Sequence, residues 1–205
     1  MSFSLAPAAY GILALIVVIS GLGLMSAPRI IELNLLRPYR VARGQDYFTV
    51  ITCGFVHADF AHLLFNSLTL YFFGPGLERL MGTPKFIALY FIGLVVSSLG
   101  TVFKQKNNPD YASLGASGAI LAVLFAYIVY RPLDKIYLYF AIGIPAVLFA
   151  FGYLAYSWWA SGHSRDRVNH DAHLDGALTG ILFVMVTDFQ IYSRALRAIL
   201  SLFGL

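Results

Sequence analysis

Ser117 is the residue of this chain best placed for nucleophilic chemistry. It lies in Leu114-Gly115-Ala116-Ser117-Gly118-Ala119, where a polar, lysine-bearing loop gives way to an apolar segment. A serine hydroxyl is a weak nucleophile unless a base stands within hydrogen-bond reach. Neutral imidazole accepts a proton near neutral pH, and His173 opens a later apolar segment in Ala172-His173-Leu174-Asp175-Gly176. Acyl transfer also needs donors for a developing oxyanion. The first turn of a helix beginning at Ser117 offers unpaired N–H groups at the positive end of its dipole. His62 and Asn66, in His62-Leu63-Leu64-Phe65-Asn66, are four residues apart and share one helix face. Polar groups at membrane depth are expensive, so each of these is a functional candidate by default.

The composition sets the elements that must position them. Of 205 residues, 59% are hydrophobic and only 12% charged, with a mean hydropathy of +0.75. A soluble domain carries about 25% charged residues. This chain cannot cover a water-facing surface and reads as a multi-pass membrane protein. No second composition regime interrupts it, so residues 1–205 are read as one domain. The net charge of +4 comes with no basic run, which argues for contact with anionic lipid and against nucleic acid. Cys53, the single cysteine, excludes an internal disulfide and is expected as a small buried side chain. No positive region precedes Arg29, so the first apolar segment is read as a retained span rather than a secretory signal.

A spanning helix needs about 20 mostly apolar residues. Six stretches approach this: residues 6–25, 60–80, 86–103, 115–130, 136–159 and 172–189, the fourth being short. The long connection 26–59 carries four arginines among apolar residues and is expected to lie in the membrane interface, as is the amphipathic tail 191–205 with Arg194 and Arg197. Successive spans alternate direction, so spans two, four and six begin on the same side. His62, Asn66, Ser117 and His173 then share one side at similar depth. From Ser117 to Tyr130 a helix rises roughly 20 Å, against a hydrocarbon core of about 30 Å. Ser117 is thereby placed roughly 10 Å below the near surface. The non-helical chain before it is tolerable there only inside protein or beside a water-filled cavity. Close approach of spans four and six is provided for by Gly118 and Ala119 and by the Gly176-x-x-x-Gly180 stripe. Gly115 permits backbone geometry closed to other residues.

Taken in order, these motifs resemble those of the rhomboid intramembrane proteases. Gly115-Ala116-Ser117-Gly118 matches their glycine-x-serine-glycine motif; His62 to Asn66 resembles their second-helix motif and Ala172 to Gly176 their sixth. Glu78-Arg79 with Gly82 resembles the charged turn after their second helix, and His57 also fits the pattern. The resemblance implies a six-helix, all-α membrane bundle with a long interfacial first loop and a short fourth helix. It implies a serine endopeptidase that hydrolyses peptide bonds in or beside transmembrane substrates, without metal or cofactor. The dyad would be Ser117 and His173, without an acid, and the oxyanion hole His62, Asn66 and the Ser117 N–H. Gly115, Gly118 and Gly176 would support the motifs, and substrate would enter beside span five. It further implies a bacterial cytoplasmic membrane protein with an inner N-terminus and a site opening to the outside. Charge bias is silent on that orientation: six basic residues fall on one side and eight on the other.

Two positions depart from the family. Leu121 stands where some members carry a tyrosine packed under the histidine ring, and Asp175 where many have a small residue. Asp175 is two residues from His173, about 200° round a helix, so it is expected to bond a neighbouring helix rather than orient that ring. His57, Glu78, Arg79 and Ser113 are read as structural, and Trp158 and Trp159 as an interfacial belt. A membrane metallohydrolase would draw on His57, His62, His170, Asp171, His173 and Asp175, yet none shows His-Glu-x-x-His spacing. Rhomboid-like binding proteins that retain unfolded membrane segments typically lack the serine or the histidine; this chain has both. A transporter would need charges within its spans and usually more helices.

Overall fold

The computed structural model describes residues 6–138, 141–163 and 168–201. Its main helices are α1 (Pro7–Met25), α5 (Phe60–Met81), α6 (Thr83–Gln105), α7 (Ser117–Tyr130), α8 (Ala146–His163), α9 (His170–Thr187) and α10 (Gln190–Ser201). Three short helices, α2 (Pro28–Leu33), α3 (Pro38–Val41) and α4 (Thr49–Thr52), and a 3₁₀ turn at Cys53–Phe55 fill the long first connection. Proline stands at the start of α1, α2 and α3, where its missing N–H costs nothing.

Each of the six apolar stretches contains a helix, but the fifth begins late. A helix from residue 136 was the expectation. Instead Lys135–Leu138 (β1) and Ile142–Pro145 (β2) form an antiparallel hairpin, pairing Lys135 with Pro145 and Leu138 with Ile142. Pro145 supplies the reason. It disfavours helical backbone at Ile144, and β-branched and aromatic residues suit the strand before it. The all-α expectation is therefore corrected to a mostly helical fold with one small hairpin. Among the described residues α1 and α6 are by length and composition sufficient to cross a membrane, and α9 with α10, bent by 113°, reaches that length and apolarity only as a pair, as a broken span or a re-entrant loop. α7, with 14 residues, is shorter than a full crossing.

α7 is the centre of the bundle. Nearly every residue from Gly118 to Ile128 is buried, with α5, α6 and α9 packed round it. α1 lies outside α5, and α8 sits on the α9 flank with Leu148, Phe151, Trp158 and Trp159 exposed. A helix that is apolar all round belongs in a core or a membrane; α7 is in the core and α1 shows Leu15, Val18 and Leu22 to the outside.

The end of the bundle away from Ser117 is held by a buried carboxylate. Glu78, 1% exposed, accepts from the backbone N–H of Ala8 (3.1 Å) and Ala9 (2.7 Å) and from the Thr83 hydroxyl (2.7 Å). The first turn of α1 has no side-chain cap of its own, so Glu78 satisfies donors that would otherwise be orphaned. Glu78 thus ties α1 to the junction between α5 and α6. Replacing Glu78 by Ala is expected to cost about 3 kcal/mol, because one buried and one part-buried N–H and a hydroxyl lose their acceptor. Thermal unfolding in detergent measures this, and Glu78→Gln, which keeps an acceptor, should lose less.

Candidate functional site

Two of the three segments singled out by their chemistry begin at helix ends with a side-chain cap, whereas α7, which Ser117 opens, has none. Asp59 caps α5 by accepting from the His62 N–H at 2.7 Å, which fixes His62 in the first turn. Asn169 caps α9: its Oδ1 accepts from the Ala172 N–H at 3.1 Å, and His173 follows one residue later. The same amide donates to Thr101 Oγ1 (2.8 Å) on α6 and to Ser113 Oγ (3.2 Å) in the loop before Ser117. One side chain therefore links the starts of α9 and α7 with the end of α6. Lys104 adds a bidentate ion pair to Asp171 at 2.7 Å. That pair is partly exposed and worth about 1 kcal/mol or less, so it sets geometry more than stability.

The loop leading into α7 is satisfied by protein. Leu36 and Ser113 exchange both backbone hydrogen bonds at 2.9 Å, and the Gly115 N–H donates to the Cys53 carbonyl at 2.9 Å. The long first connection thus clamps the irregular chain before Ser117. Gly115 adopts φ +109°, a conformation that favours glycine. A Cβ there would also sit 2.6 Å from His62 Cε1, so the absent side chain makes the seat for the imidazole. The starts of α5 and α7 consequently lie together, with His62 seated on Gly115, two residues upstream of Ser117.

α7 and α9 meet backbone to backbone. A Cβ on Gly176 would overlap the Gly118 carbonyl, and one on Gly180 the Ala122 carbonyl. Gly118 in turn has no room for a side chain against Ser97 Oγ of α6. Ser117 is the residue before Gly118, and His173 lies one turn before Gly176. The first turns of the two helices therefore run side by side, and Ser117 and His173 are both half-buried. Asn66 is buried, 7% exposed, and its Nδ2 has no hydrogen-bond partner among the described residues. A buried amide donor in that condition is costly unless it serves a ligand.

The surroundings of His173 separate the two departures noted in the sequence. Its Nδ1 shares a 3.0 Å hydrogen bond with the Tyr153 hydroxyl of α8, and the two rings stack at 25°. Leu121 packs instead in an apolar cluster with Phe125 and Ile128. The Asp175 carboxylate lies against Gly100 of α6, on another side of α9 from Tyr153. Asp171 is taken up by Lys104, and among the described residues no three His, Cys, Asp or Glu side chains gather as a metal-binding group.

His57 and Cys53 are structural. Ser20 donates its hydroxyl proton to the Phe55 carbonyl (2.9 Å), so the 2.8 Å contact with His57 is a donation from Nδ1–H. Burial, with His62 beside it, pushes the His57 pKa down to about 3, and the ring stays neutral. Burial likewise pushes the Cys53 thiol up to about 11, which removes it as a nucleophile. Asn169 and Tyr153 are the two residues at the site that spacing and motif did not single out. Asn169 followed by an acidic residue in the first turn is a readable cap. A lone tyrosine in an apolar span carries no such signal. Arg165 and Arg167, counted in the charge balance, lie outside the described residues.

Comparison with known proteins identifies the family. A rhomboid domain model matches residues 44–188. The chain is 32% identical to Rhomboid protein 1, mitochondrial, of Saccharomyces cerevisiae over 151 residues, 68% of this chain and 42% of that protein. It is 29% identical to RHOMBOID-like protein 12, mitochondrial, of Arabidopsis thaliana over 147 residues, 63% of this chain and 43% of that protein. It is 26% identical to Rhomboid protease GluP of Bacillus subtilis over 140 residues, 68% of this chain and 26% of that protein. The matches thus span less than half the length of these curated relatives. The domain match covers more than half of the chain and includes every residue of the site, so this protein belongs to the membrane-embedded rhomboid family.

Proposed function

We propose that the chain is a rhomboid-type intramembrane serine endopeptidase with a Ser117–His173 dyad. The observation that carries this reading is the seating of Gly118 against Gly176, which sets the first turns of α7 and α9 in contact within a rhomboid domain. Residues 1–205 act as one integral membrane domain of six spans, with the short α7 enclosed by the others. The membrane is the bacterial cytoplasmic membrane, and the site opens to its outer side. Substrates are transmembrane segments of other proteins, met in or beside the lipid. Neither metal nor cofactor takes part.

In this mechanism the Ser117 hydroxyl attacks the scissile carbonyl carbon as His173 accepts its proton. The tetrahedral oxyanion is held by the Ser117 N–H, His62 and the Asn66 amide. The start of α7 adds the positive end of its dipole. Collapse expels the amine, which takes the proton from His173, and leaves an acyl-enzyme. Water, deprotonated by the same imidazole, then releases the acid. The buried, unpartnered Asn66 Nδ2 supports the oxyanion role: a donor kept unpaired in the resting protein costs nothing further when charge appears.

A fluorophosphonate probe should add covalently to Ser117, read by intact mass, and label His173→Ala more slowly. Ser117→Ala and His173→Ala should each reduce cleavage of a model transmembrane substrate in liposomes to background while thermal unfolding is unchanged. Full turnover by Ser117→Ala would refute the dyad. Asn66→Ala should lower kcat about 10²–10³-fold with little change in KM; a defect confined to KM would remove Asn66 from the oxyanion hole. Gly176→Ala should push α7 and α9 apart, costing about 2 kcal/mol and most of the turnover, measured by thermal unfolding and the same cleavage assay.

A further inference from the structure

We infer that Tyr153 is the positioning residue for His173: its phenolic oxygen accepts the Nδ1–H of the imidazole and turns Nε2 toward Ser117. This rests on the dyad proposed above. The contact itself does not, since the 3.0 Å hydrogen bond and the stacked rings, centroids 6.5 Å apart, are features of the fold.

The direction of that bond follows from the chemistry of imidazole. A neutral ring has one N–H and one lone pair. Were Tyr153 to donate to Nδ1, the ring proton would sit on Nε2, leaving no lone pair for the Ser117 proton. With Nδ1–H donating to the phenolic oxygen, Nε2 is basic and the ring is held in the plane set by the stack. The same bond persists when the ring becomes imidazolium, so it serves both halves of the proton transfer. Among the described residues no carboxylate is placed to do this. Asp175 lies against Gly100 on α6, and Asp171 is paired with Lys104.

The location of the phenol argues that the bond has a use. A hydroxyl inside an apolar span is expensive, yet α8 carries two on one face. Ser157, four residues beyond Tyr153, is fully buried with its Oγ unpartnered among the described residues. That oxygen lies on the face where an acceptor for the Tyr153 O–H would be needed. Leu121, where some rhomboids carry their own tyrosine, offers only apolar surface. In this chain the aromatic ring stacked on His173 therefore comes from α8 and not from the helix that bears the serine. Because α8 is attached mainly along α9 and shows Leu148, Phe151 and Trp158 outward, the alignment of the base depends on α8 staying seated.

Two measurements on the full-length protein in detergent or liposomes test this. Nitrogen-15 histidine NMR, with His173 assigned by its loss in His173→Gln, should show the Nδ1–H tautomer in the unsubstituted protein; a predominant Nε2–H tautomer would overturn the inference without any variant at position 153. Tyr153→Phe, which keeps the ring, should then mix the tautomers. It should lower kcat and the rate of fluorophosphonate labelling about tenfold, the worth of one hydrogen bond, with KM within about twofold. Unchanged kcat together with an unchanged tautomer would reduce Tyr153 to a packing residue. If Ser117→Ala also retains turnover, the dyad fails and the tautomer experiment still reports what Tyr153 does to the ring.

Discussion

The fold depends on how closely two backbones can approach. α7 and α9 touch through Gly118 and Gly176 and again through Ala122 and Gly180, where a single added methyl would meet a carbonyl oxygen. In lipid there is no hydrophobic gain from joining two apolar helices, so dispersion between close surfaces has to supply the attraction. Small residues at successive turns make that surface. The same contact fixes what lies at its upper end. Ser117 and His173 stand beside the first glycine pair, so the packing that stabilises the bundle also sets their separation.

Close packing alone would leave the helix ends loose. Their position is fixed by polar side chains and backbone pairs, each of which crosses between elements. Asn169 caps α9 while holding α6 and the loop before Ser117. Leu36 and Ser113 join the first connection to that loop, and Gly115 bonds to Cys53. At the other end Glu78 closes α1 onto the α5–α6 junction. A polar group buried in a membrane protein must be bonded or must wait for a ligand. Most of those described are bonded; Asn66 Nδ2 and Ser157 Oγ are among the exceptions.

The legible part of the fold was the part with a strong local signal. The apolar stretches around Ala14, Leu70, Val95 and Val123 each became a helix because length and hydropathy left no alternative. Tyr137 and Ile142 were misread because apolarity does not distinguish a strand from a helix over a few residues; Pro145 carried the corrective signal, and its effect reaches only one residue back. The roles of Glu78 and His57 as structural residues were readable in kind. Their partners, the first turn of α1 for one and Ser20 for the other, lie dozens of residues away and leave no trace in local pattern.

What the chain determined by itself was the inventory and the sidedness. Motif spacing and alternating helix direction were enough to put His62, Ser117 and His173 at one end of the bundle, because direction and length follow from covalent geometry and hydropathy. Only the tertiary structure decided contact. That Gly115 makes the seat for His62, that α7 bears directly on α9, and that Tyr153 rather than Leu121 meets the His173 ring all depend on which helix faces come together. Those choices are made by side-chain shape summed over the whole bundle, and no local stretch of sequence carries that sum.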